Sequence, residues 1–257
     1  MKLQKRIASL LLLCALVAGL LVIPAGASGS SQDSTRHADQ LASLGLFQGT
    51  DGGYQLDAVP TRIQGLVMLL RLLGLEDEAL ATTEPSPFSD VTWGDSYVSY
   101  AYQNGLTQGT SADRFSPNDT LDARSYVTFL MRALGYSDTA GDFAWADALT
   151  FAARQSLMDT ASASALAGAT MNRGDMVDLS YAALTCDLKD GSQTLAERLA
   201  DQGVFTAAGP TAAGVLGGSG WIYTYVPNNS AGQGTTPSSG SPLTYEVKTL
   251  AGVTAHV

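Results

Sequence analysis

The stretch Thr61-Arg62-Ile63-Gln64 opens an apolar run with helical spacing that ends at Gly74. The same kind of opening recurs at Asp122-Ala123-Arg124-Ser125 and at Asn172-Arg173-Gly174-Asp175. Each begins with a residue that can cap a helix and has a side-chain hydrogen-bonding group three positions later, which is the spacing of a reciprocal cap. We therefore predict that a helix begins at each of the three stretches.

The apolar residues behind these openings fall in register when the three segments are superimposed. The matching sets are Leu66, Val127 and Val177; Met68, Phe129 and Leu179; and Leu73, Leu134 and Leu184. A periodicity that survives superposition indicates one supersecondary unit used three times.

A second kind of helix is predicted to end at a left-handed glycine followed by an apolar residue. Three copies close at Gly45, Gly105 and Gly203, and a weaker fourth copy has Ser156 at the same place. Polar loops follow these helices, and Gln-Gly-Thr occurs twice, at residues 48–50 and 108–110. The residues before the first copy, from Ser28 to Thr35, are predicted to be a polar leader.

Both ends of the chain differ from this repeated region. Basic residues precede an apolar run from Ile7 to Ile23, and small residues follow it, so residues 1–27 are predicted to be a cleaved secretory signal. An uncleaved anchor and lipidation of Cys14 are the alternatives. Residues 209–257 are predicted to be a Gly/Ser/Pro-rich linker and a short β-rich tail with strands at 221–226 and 243–248.

Charge and composition exclude several function classes. The net charge of −10 at pH 7 argues against nucleic acid and against binding to an anionic membrane surface once the signal is removed. His37 and His256 are the two histidines of the sequence, so we predict no catalytic triad, no metal site and no cofactor. Cys186 is expected to be a partly buried apolar residue rather than a nucleophile.

Several motifs in the repeated region carry a family resemblance. The clearest are Phe88-Ser89-Asp90-Val91 with Trp93, Pro60-Thr61-Arg62-Ile63-Gln64, and Phe129-Leu130-Met131-Arg132-Ala133-Leu134-Gly135. Together, and in their order along the chain, these motifs resemble S-layer homology (SLH) domains. The resemblance implies a mainly α fold in which three tandem helix-loop-helix repeats, about residues 36–80, 87–138 and 142–208, form a pseudo-threefold body.

The resemblance also implies a function: non-covalent, non-catalytic attachment to the cell wall of a Gram-positive type bacterium. The expected ligand is an anionic secondary cell-wall polysaccharide, with pyruvate ketals on its sugars, held in grooves between repeats. The sequence of the tail leaves three alternatives, since its strands could pair as a hairpin, pack on the helical part or bind a partner protein. The alternatives are a self-assembling surface-layer protein and a wall-polysaccharide hydrolase.

The ligand-binding residues implied by the resemblance lie at helix starts and at one repeat lead-in. They are Arg62, Arg173, Thr61, Asn172, Asp90 and Trp93. An arginine in the first turn of a helix places a fork of donors beside free backbone amides, which suits a carboxylate on a sugar. Tryptophans such as Trp93 and Trp145 are more often repeat-core residues than sugar platforms.

The middle helix start departs from the other two. Its arginine, Arg124, stands one position later than Arg62 and Arg173, and one residue is about 100° of rotation around a helix. We therefore expect Arg124 to point away from its groove, and two of the three starts to bind ligand. Arg71 and Arg132, near the ends of their helices, are expected to be ion-paired surface residues or partners of the helix dipole rather than ligand contacts.

Overall fold

The computed structural model describes residues 29–208, 210–217 and 220–225. This part of the chain is mainly helical, as predicted, with ten α-helices and one 3-10 helix. The helices are α1 (Gly29–Ser43), α2 (Arg62–Leu72), α3 (Glu76–Leu80), α4 (Asp95–Gln103), α5 (Ala123–Ala133), the 3-10 helix Trp145–Asp147, α6 (Ala148–Arg154), α7 (Thr160–Leu166), α8 (Arg173–Leu184), α9 (Leu195–Asp201) and α10 (Pro210–Leu216).

The three predicted helix starts are confirmed, since α2, α5 and α8 begin directly after Thr61, Asp122 and Asn172. Asn172 and Asp175 form a reciprocal cap, with both backbone N–H to side-chain distances at 2.9 Å. Asp122 accepts the N–H of Ser125 at 2.8 Å. These bonds satisfy amides that a helix start leaves without an intrahelical partner.

Helices α2, α5 and α8 form the centre of the fold, and each contacts the other two. The buried hydroxyls of Tyr126 on α5 and Ser180 on α8 lie 2.6 Å apart, which joins two of these helices by a polar contact inside an apolar core. Gly65 allows the close crossing of α2, because a Cβ there would lie 2.2 Å from a methyl group of the buried Leu121.

The outer helices α1, α4, α6 and α9 end as the sequence predicts. Each is followed by a left-handed residue, with φ of 76° at Gly45, 71° at Gly105, 63° at Ser156 and 77° at Gly203. The next residue then donates its N–H to a carbonyl five residues back, as Leu46 does to Leu41 at 2.8 Å. Ser156 therefore takes the glycine position of the fourth copy.

Two predictions about the ends of the repeated region are wrong. Helix α1 begins at Gly29, so the predicted polar leader is helical, and α1 packs along α8. Part of the predicted linker folds as α10, where Ala212 and Val215 are buried. At α10 apolar contact with the rest of the fold outweighs a glycine-rich local composition.

The predicted strand at 221–226 is reduced, in its described part, to one parallel bridge between Tyr223 and Met158. Tyr223 is 1% exposed, and its hydroxyl donates to Asp175 of α8 at 2.8 Å. The segment is therefore tied to the helical body. The predicted signal at 1–27 and the second predicted strand at 243–248 lie outside the described residues.

Cys186 is buried, as expected from its apolar surroundings in the sequence. Burial raises the pKa of its thiol to about 12, with a smaller contribution from the charge of Asp187. The thiol is therefore protonated at neutral pH, which removes its nucleophilic form.

Candidate functional site

The start of α2 is covered by the loop between α4 and α5. The N–H of Arg62 donates to the carbonyl of Asp119 at 2.9 Å, and the N–H of Ile63 donates to Pro117 at 3.1 Å. The backbone N–H of Thr61 donates to Gln64 Oε1 at 2.9 Å. These bonds fix the first turn of α2, and with it the Cα of Arg62, against the loop between α4 and α5.

The Arg62 side chain is held between two aromatic rings. Its Cζ lies 5.0 Å from the ring centre of Phe115 and 5.1 Å from that of Phe129, and the residue is 8% exposed. Its Nη2 donates to the carbonyl of Gly109 over a long 3.5 Å, and its Nε has no hydrogen-bond partner. The two rings stabilise the positive charge of the guanidinium, which keeps N–H groups that can donate to a ligand.

The pKa of Arg62 reflects this setting. Burial lowers it to about 10, while the negative charge of Asp122 opposes the change and the positive charge of Arg132 adds to it. The side chain is therefore still a cation at neutral pH. A buried charge without a direct ion pair costs stability, which is a pattern found at binding sites.

Arg62 opens into a cleft of about 400 Å³, which we name the Arg62 cleft. Its walls come from the loop Gln108–Thr110, the inner face of the first half of α5, and Trp145. Arg132 also lines it, and binds Asp138 through two bonds of 2.8 and 2.7 Å. The cleft thus contains one fixed cation, one paired cation, the carboxylate of Asp122 and an aromatic wall, while its two hydroxyls, at Ser125 and Thr128, already donate to protein oxygens.

The start of α8 is built in the same way on a different loop. The N–H of Arg173 donates to Ala58 at 2.9 Å, and the N–H of Gly174 donates to Leu56 at 2.8 Å. Arg173 Nε donates to the carbonyl of Tyr54 at 3.0 Å, and its Cζ lies 5.9 Å from the ring centre of Phe47. Burial and the charge of Arg71 lower the pKa of Arg173. Arg62 and Arg173 therefore share a backbone arrangement, although Arg173 is less deeply buried.

The direction of the Arg124 side chain, at the start of α5, differs from the prediction. It lines a second cleft of about 510 Å³ between α5 and the pair α6 and α7, so the expectation that it points away from its groove is wrong. Within the described residues, however, no backbone bond from Ala123 or Arg124 to a loop fixes this helix start.

Arg71 and Arg132 confirm the prediction of ion pairing. Arg71 binds Glu76 through bonds of 2.8 and 2.7 Å, and Arg132 binds Asp138 at the same distances. Hydrogen bonding to Arg71 lowers the pKa of Glu76. Arg132 nevertheless lies inside the Arg62 cleft, so it is both paired and near the candidate ligand position.

Asp90 lies beneath the loop rather than in the cleft. Its two carboxylate oxygens each accept a backbone N–H at 2.9 Å, from Phe115 and Ser116. Burial raises the pKa of Asp90, but these two bonds and Arg114 outweigh that effect and leave it lowered. Asp90 therefore positions the loop that carries Gly109 and Phe115.

Trp93 and Trp145 are each 49% exposed, so the expectation that they are core residues is wrong. Trp145 lines the Arg62 cleft and Trp93 does not. The structure thus brings Arg62 together with Arg132 and Trp145, which were not among the residues predicted to bind ligand, whereas Thr61 does not line the cleft. The second copy of the repeated Gln-Gly-Thr motif, at residues 108–110, forms the loop wall of this cleft.

A buried cluster joins α1 to α8. Asp178 accepts a hydrogen bond from Ser34 Oγ at 2.6 Å, and it lies 2.8 Å from His37 Nδ1, with the His37 ring stacked on Tyr181 at 4.1 Å. The serine donates to the carboxylate and not to the imidazole, and both side chains are buried. The cluster therefore lacks the hydrogen-bond order of a catalytic triad and holds α1 in place.

Two features are absent from the part of the chain that the structure describes. No group of three or more His, Cys, Asp or Glu side chains lies in a position to hold a metal ion. No helix there is both long and apolar enough to cross a membrane.

Comparison with known proteins gives one family match. Residues 87–122 match the family described as S-layer homology domain. This segment begins at the Phe88-Ser89-Asp90-Val91 motif, contains α4 and the loop over Arg62, and ends at the cap of α5. The S-layer homology domain predicted from the sequence is confirmed for this segment.

Three curated relatives share part of the chain. A "Cell surface protein" of Thermoanaerobacter kivui is 34% identical over 115 residues, which is 42% of this chain and 15% of the relative. A "Middle cell wall protein" of Brevibacillus brevis is 25% identical over 162 residues, which is 62% of this chain and 15% of the relative. An "Endoglucanase" of a Bacillus species is 32% identical over 72 residues, 27% of this chain and 8% of the relative. The chain thus spans a small fraction of each relative.

Proposed function

We propose, from the S-layer homology match at residues 87–122, that this chain is a non-catalytic anchor at the bacterial cell-wall surface that binds an anionic wall polysaccharide. The ligand group is a carboxylate, such as a pyruvate ketal on a sugar. Arg62 in its cleft and Arg173 on α8 are the proposed contacts. We also propose that the helical body consists of three repeats, each of which contains one of the central helices α2, α5 and α8.

The buried and incompletely bonded Arg62 is the observation that carries this proposal. A guanidinium that is 8% exposed, with Nε unpaired, has lost most of its hydration without gaining a full set of protein acceptors. A planar carboxylate can accept two parallel N–H groups from it. The start of α2 adds a favourable dipole to the same place.

Local binding of this kind explains how an acidic protein can hold an acidic polymer. The chain has a net charge of −10, so the overall electrostatic interaction with such a polymer is repulsive. At physiological ionic strength this repulsion is screened beyond about 8 Å. A paired contact inside a cleft is screened much less, so a few arginines in shaped sites decide the affinity.

Sedimentation with purified wall sacculi tests the proposal. We expect the wild-type protein to sediment, Arg62→Gln to bind about 10- to 100-fold more weakly, and Arg62→Gln with Arg173→Gln to stay in solution. This fold-change in affinity corresponds to the loss of about 1.5–3 kcal/mol for a hydrogen bond to a charged group. Mild acid removal of ketals from the sacculi should have the same effect as the double substitution.

Lys189→Gln is the matched control, because it removes one positive charge outside the clefts from a side chain that is 45% exposed. It should sediment as the wild type does. Unchanged sedimentation of the double variant would refute the arginine contacts. Particle growth without wall polymer would favour a self-assembling surface layer, and release of soluble sugar from the sacculi would favour a hydrolase.

A further inference from the structure

The last described residues, 220–225, lie outside the predicted repeats and cross α8; we name them the strap. The N–H of Trp221 donates to Thr185 Oγ1, at the end of α8, at 3.1 Å. The hydroxyl of Tyr223 donates to Asp175 Oδ1, in the first turn of α8, at 2.8 Å. Because residue numbers rise along the strap as they fall along the helix, the strap runs antiparallel to α8 and leads to its start.

The carboxylate of Asp175 is shared by the strap and the cap of α8. Its Oδ2 accepts the backbone N–H of Asn172 at 2.9 Å, while its Oδ1 accepts the hydroxyl of Tyr223. Burial raises the pKa of Asp175 and these two bonds oppose that change. A buried carboxylate oxygen that loses its donor costs stability. The cap that precedes Arg173 therefore depends on a hydroxyl from outside the repeats.

The start of α2 has no such support, which gives a comparison within one molecule. Gln64 takes the position of Asp175, and its Oε1 accepts the N–H of Thr61 at 2.9 Å. Gln64 is exposed to solvent and belongs to a helix start that is covered only by the loop between α4 and α5. A change in the strap should therefore reach Arg173 and leave Arg62 unaffected.

The position of the Tyr223 hydroxyl is fixed by the backbone of the strap. The N–H of Tyr223 donates to Leu157 at 3.0 Å, and its carbonyl accepts the N–H of Asp159 at 3.3 Å. The N–H of Tyr225 donates to Ser162 Oγ at 2.6 Å. Tyr223 is 1% exposed, so it cannot touch a wall polymer itself. Any effect of Tyr223 on binding must pass through the protein groups that it contacts.

We propose that Tyr223 is a positioning residue for Arg173. Through Asp175 it holds the first turn of α8 in the place where the Arg173 guanidinium meets a carboxylate of the wall polymer. One of the two proposed arginine contacts thus depends on a segment outside the repeats. The inference rests on the proposed function for the nature of the ligand.

Amide hydrogen exchange tests the structural half of this inference without any ligand. Tyr223→Phe keeps the buried ring and removes the hydroxyl. We expect the amides of Asn172 and Arg173 to exchange about 2- to 10-fold faster in this variant, the effect of one lost hydrogen bond, and the amide of Arg62 to keep its wild-type rate. Tyr225→Phe is the matched control, because within the described residues its hydroxyl makes no hydrogen bond. It should leave all three rates unchanged.

Sedimentation with purified wall sacculi in two backgrounds tests the functional half. In the Arg62→Gln protein Arg173 is the remaining proposed contact, so the addition of Tyr223→Phe should weaken binding a further 2- to 10-fold, or about one hydrogen bond. In the Arg173→Gln protein the same addition should change the affinity by less than about 2-fold, because the group through which Tyr223 acts is already lost. Tyr225→Phe should have no effect in either background.

Three results would decide against parts of this account. Equal weakening in both backgrounds would show that Tyr223 acts on the whole fold, and would overturn its positioning role. Unchanged exchange at Asn172 and Arg173 would overturn it as well. If the wild type did not sediment but the exchange rates changed as expected, the proposed function would fail while the link from Tyr223 to the start of α8 would be confirmed.

Discussion

Arg62 and Arg124 lie at corresponding helix starts, but they differ in burial and in the contacts that hold them. Arg62 is the first residue of α2, its backbone is bonded to a neighbouring loop, and its side chain lies between two rings. Arg124 is the second residue of α5, is partly exposed, and has one ring beneath it. One step along a helix therefore separates a rigid, buried cation from a loosely held one.

This difference concerns preorganisation rather than charge. Both side chains face clefts of similar size. The cost of ordering Arg62 was met when the protein folded, whereas Arg124 loses rotamer freedom when it binds a ligand. We therefore expect Arg62 to contribute more than Arg124 to the affinity for a single acidic sugar.

The largest expected effect comes from breaking the loop that holds Arg62. Gly109 has a φ of 76°, and a Cβ there would lie 2.6 Å from the carbonyl oxygen of Arg114 and 2.4 Å from the ring of Phe88. Gly109→Ala should lower the free energy of unfolding by about 2–5 kcal/mol, from backbone strain and overpacking together. Urea denaturation measures this loss, and wall sedimentation should fall with it.

Gly45→Ala is the matched control for that substitution. Gly45 has the same φ of 76°, but nothing lies within 4 Å of its Cβ position. It should therefore cost about 1–2 kcal/mol, the strain of a left-handed residue alone. Equal losses in the two variants would show that close packing at Gly109 does not hold the loop.

A smaller effect is expected from the support beneath the loop. Asp90 accepts the N–H groups of Phe115 and Ser116, and the amide of Asp90→Asn offers one acceptor oxygen in place of two. At pH 7 the variant should be about 1–2 kcal/mol less stable than the wild type in urea denaturation. Asp113→Asn, a change in an exposed residue of the same loop, should leave stability nearly unchanged.

The pH dependence of this loss has a defined sign. The pKa of Asp90 is lowered in the folded protein, so its carboxylate contributes stability above the unfolded pKa, which is about 3.9. That contribution disappears as the pH falls through the lower, folded pKa. The difference between the wild type and Asp90→Asn should therefore shrink below pH of about 4, and a difference that stayed constant would exclude the charged form of Asp90 as its cause.

The sequence predicted the parts of this fold that depend on local chemistry. The caps at Thr61, Asp122 and Asn172 and the left-handed Ser156 follow from residue type and spacing, and the structure has them where they were predicted. These features need contacts only within a few residues. They sufficed to predict three corresponding helix starts and a mainly α fold.

The parts that depend on distant contacts could not be predicted in the same way. Arg132 and Trp145 enter the Arg62 cleft from segments far along the chain, and no local pattern marks them as its walls. Helix α1 begins early because Ser34 and His37 bond to Asp178, which lies on α8. Rotation by one residue correctly distinguished Arg124 from Arg62, but it underestimated how far a flexible side chain can reach.

The smallest expected effect on stability gives the sharpest test of the comparison between Arg62 and Arg124. Arg62→Met replaces a buried cation that has no direct ion pair with an apolar side chain that can fill the space between Phe115 and Phe129. Because the desolvation cost of the charge is removed, we expect the variant to be as stable as the wild type or about 1 kcal/mol more stable, while it loses wall binding.

Arg124→Met, at a partly exposed position, should change stability by less than about 0.5 kcal/mol and keep most of the binding of single acidic sugars. Thermal unfolding and sugar titration of the two variants separate these effects. A marked loss of stability in Arg62→Met would mean that the guanidinium holds the loop together through its stacking on the two rings, and that its place in the cleft is explained by folding rather than by a ligand.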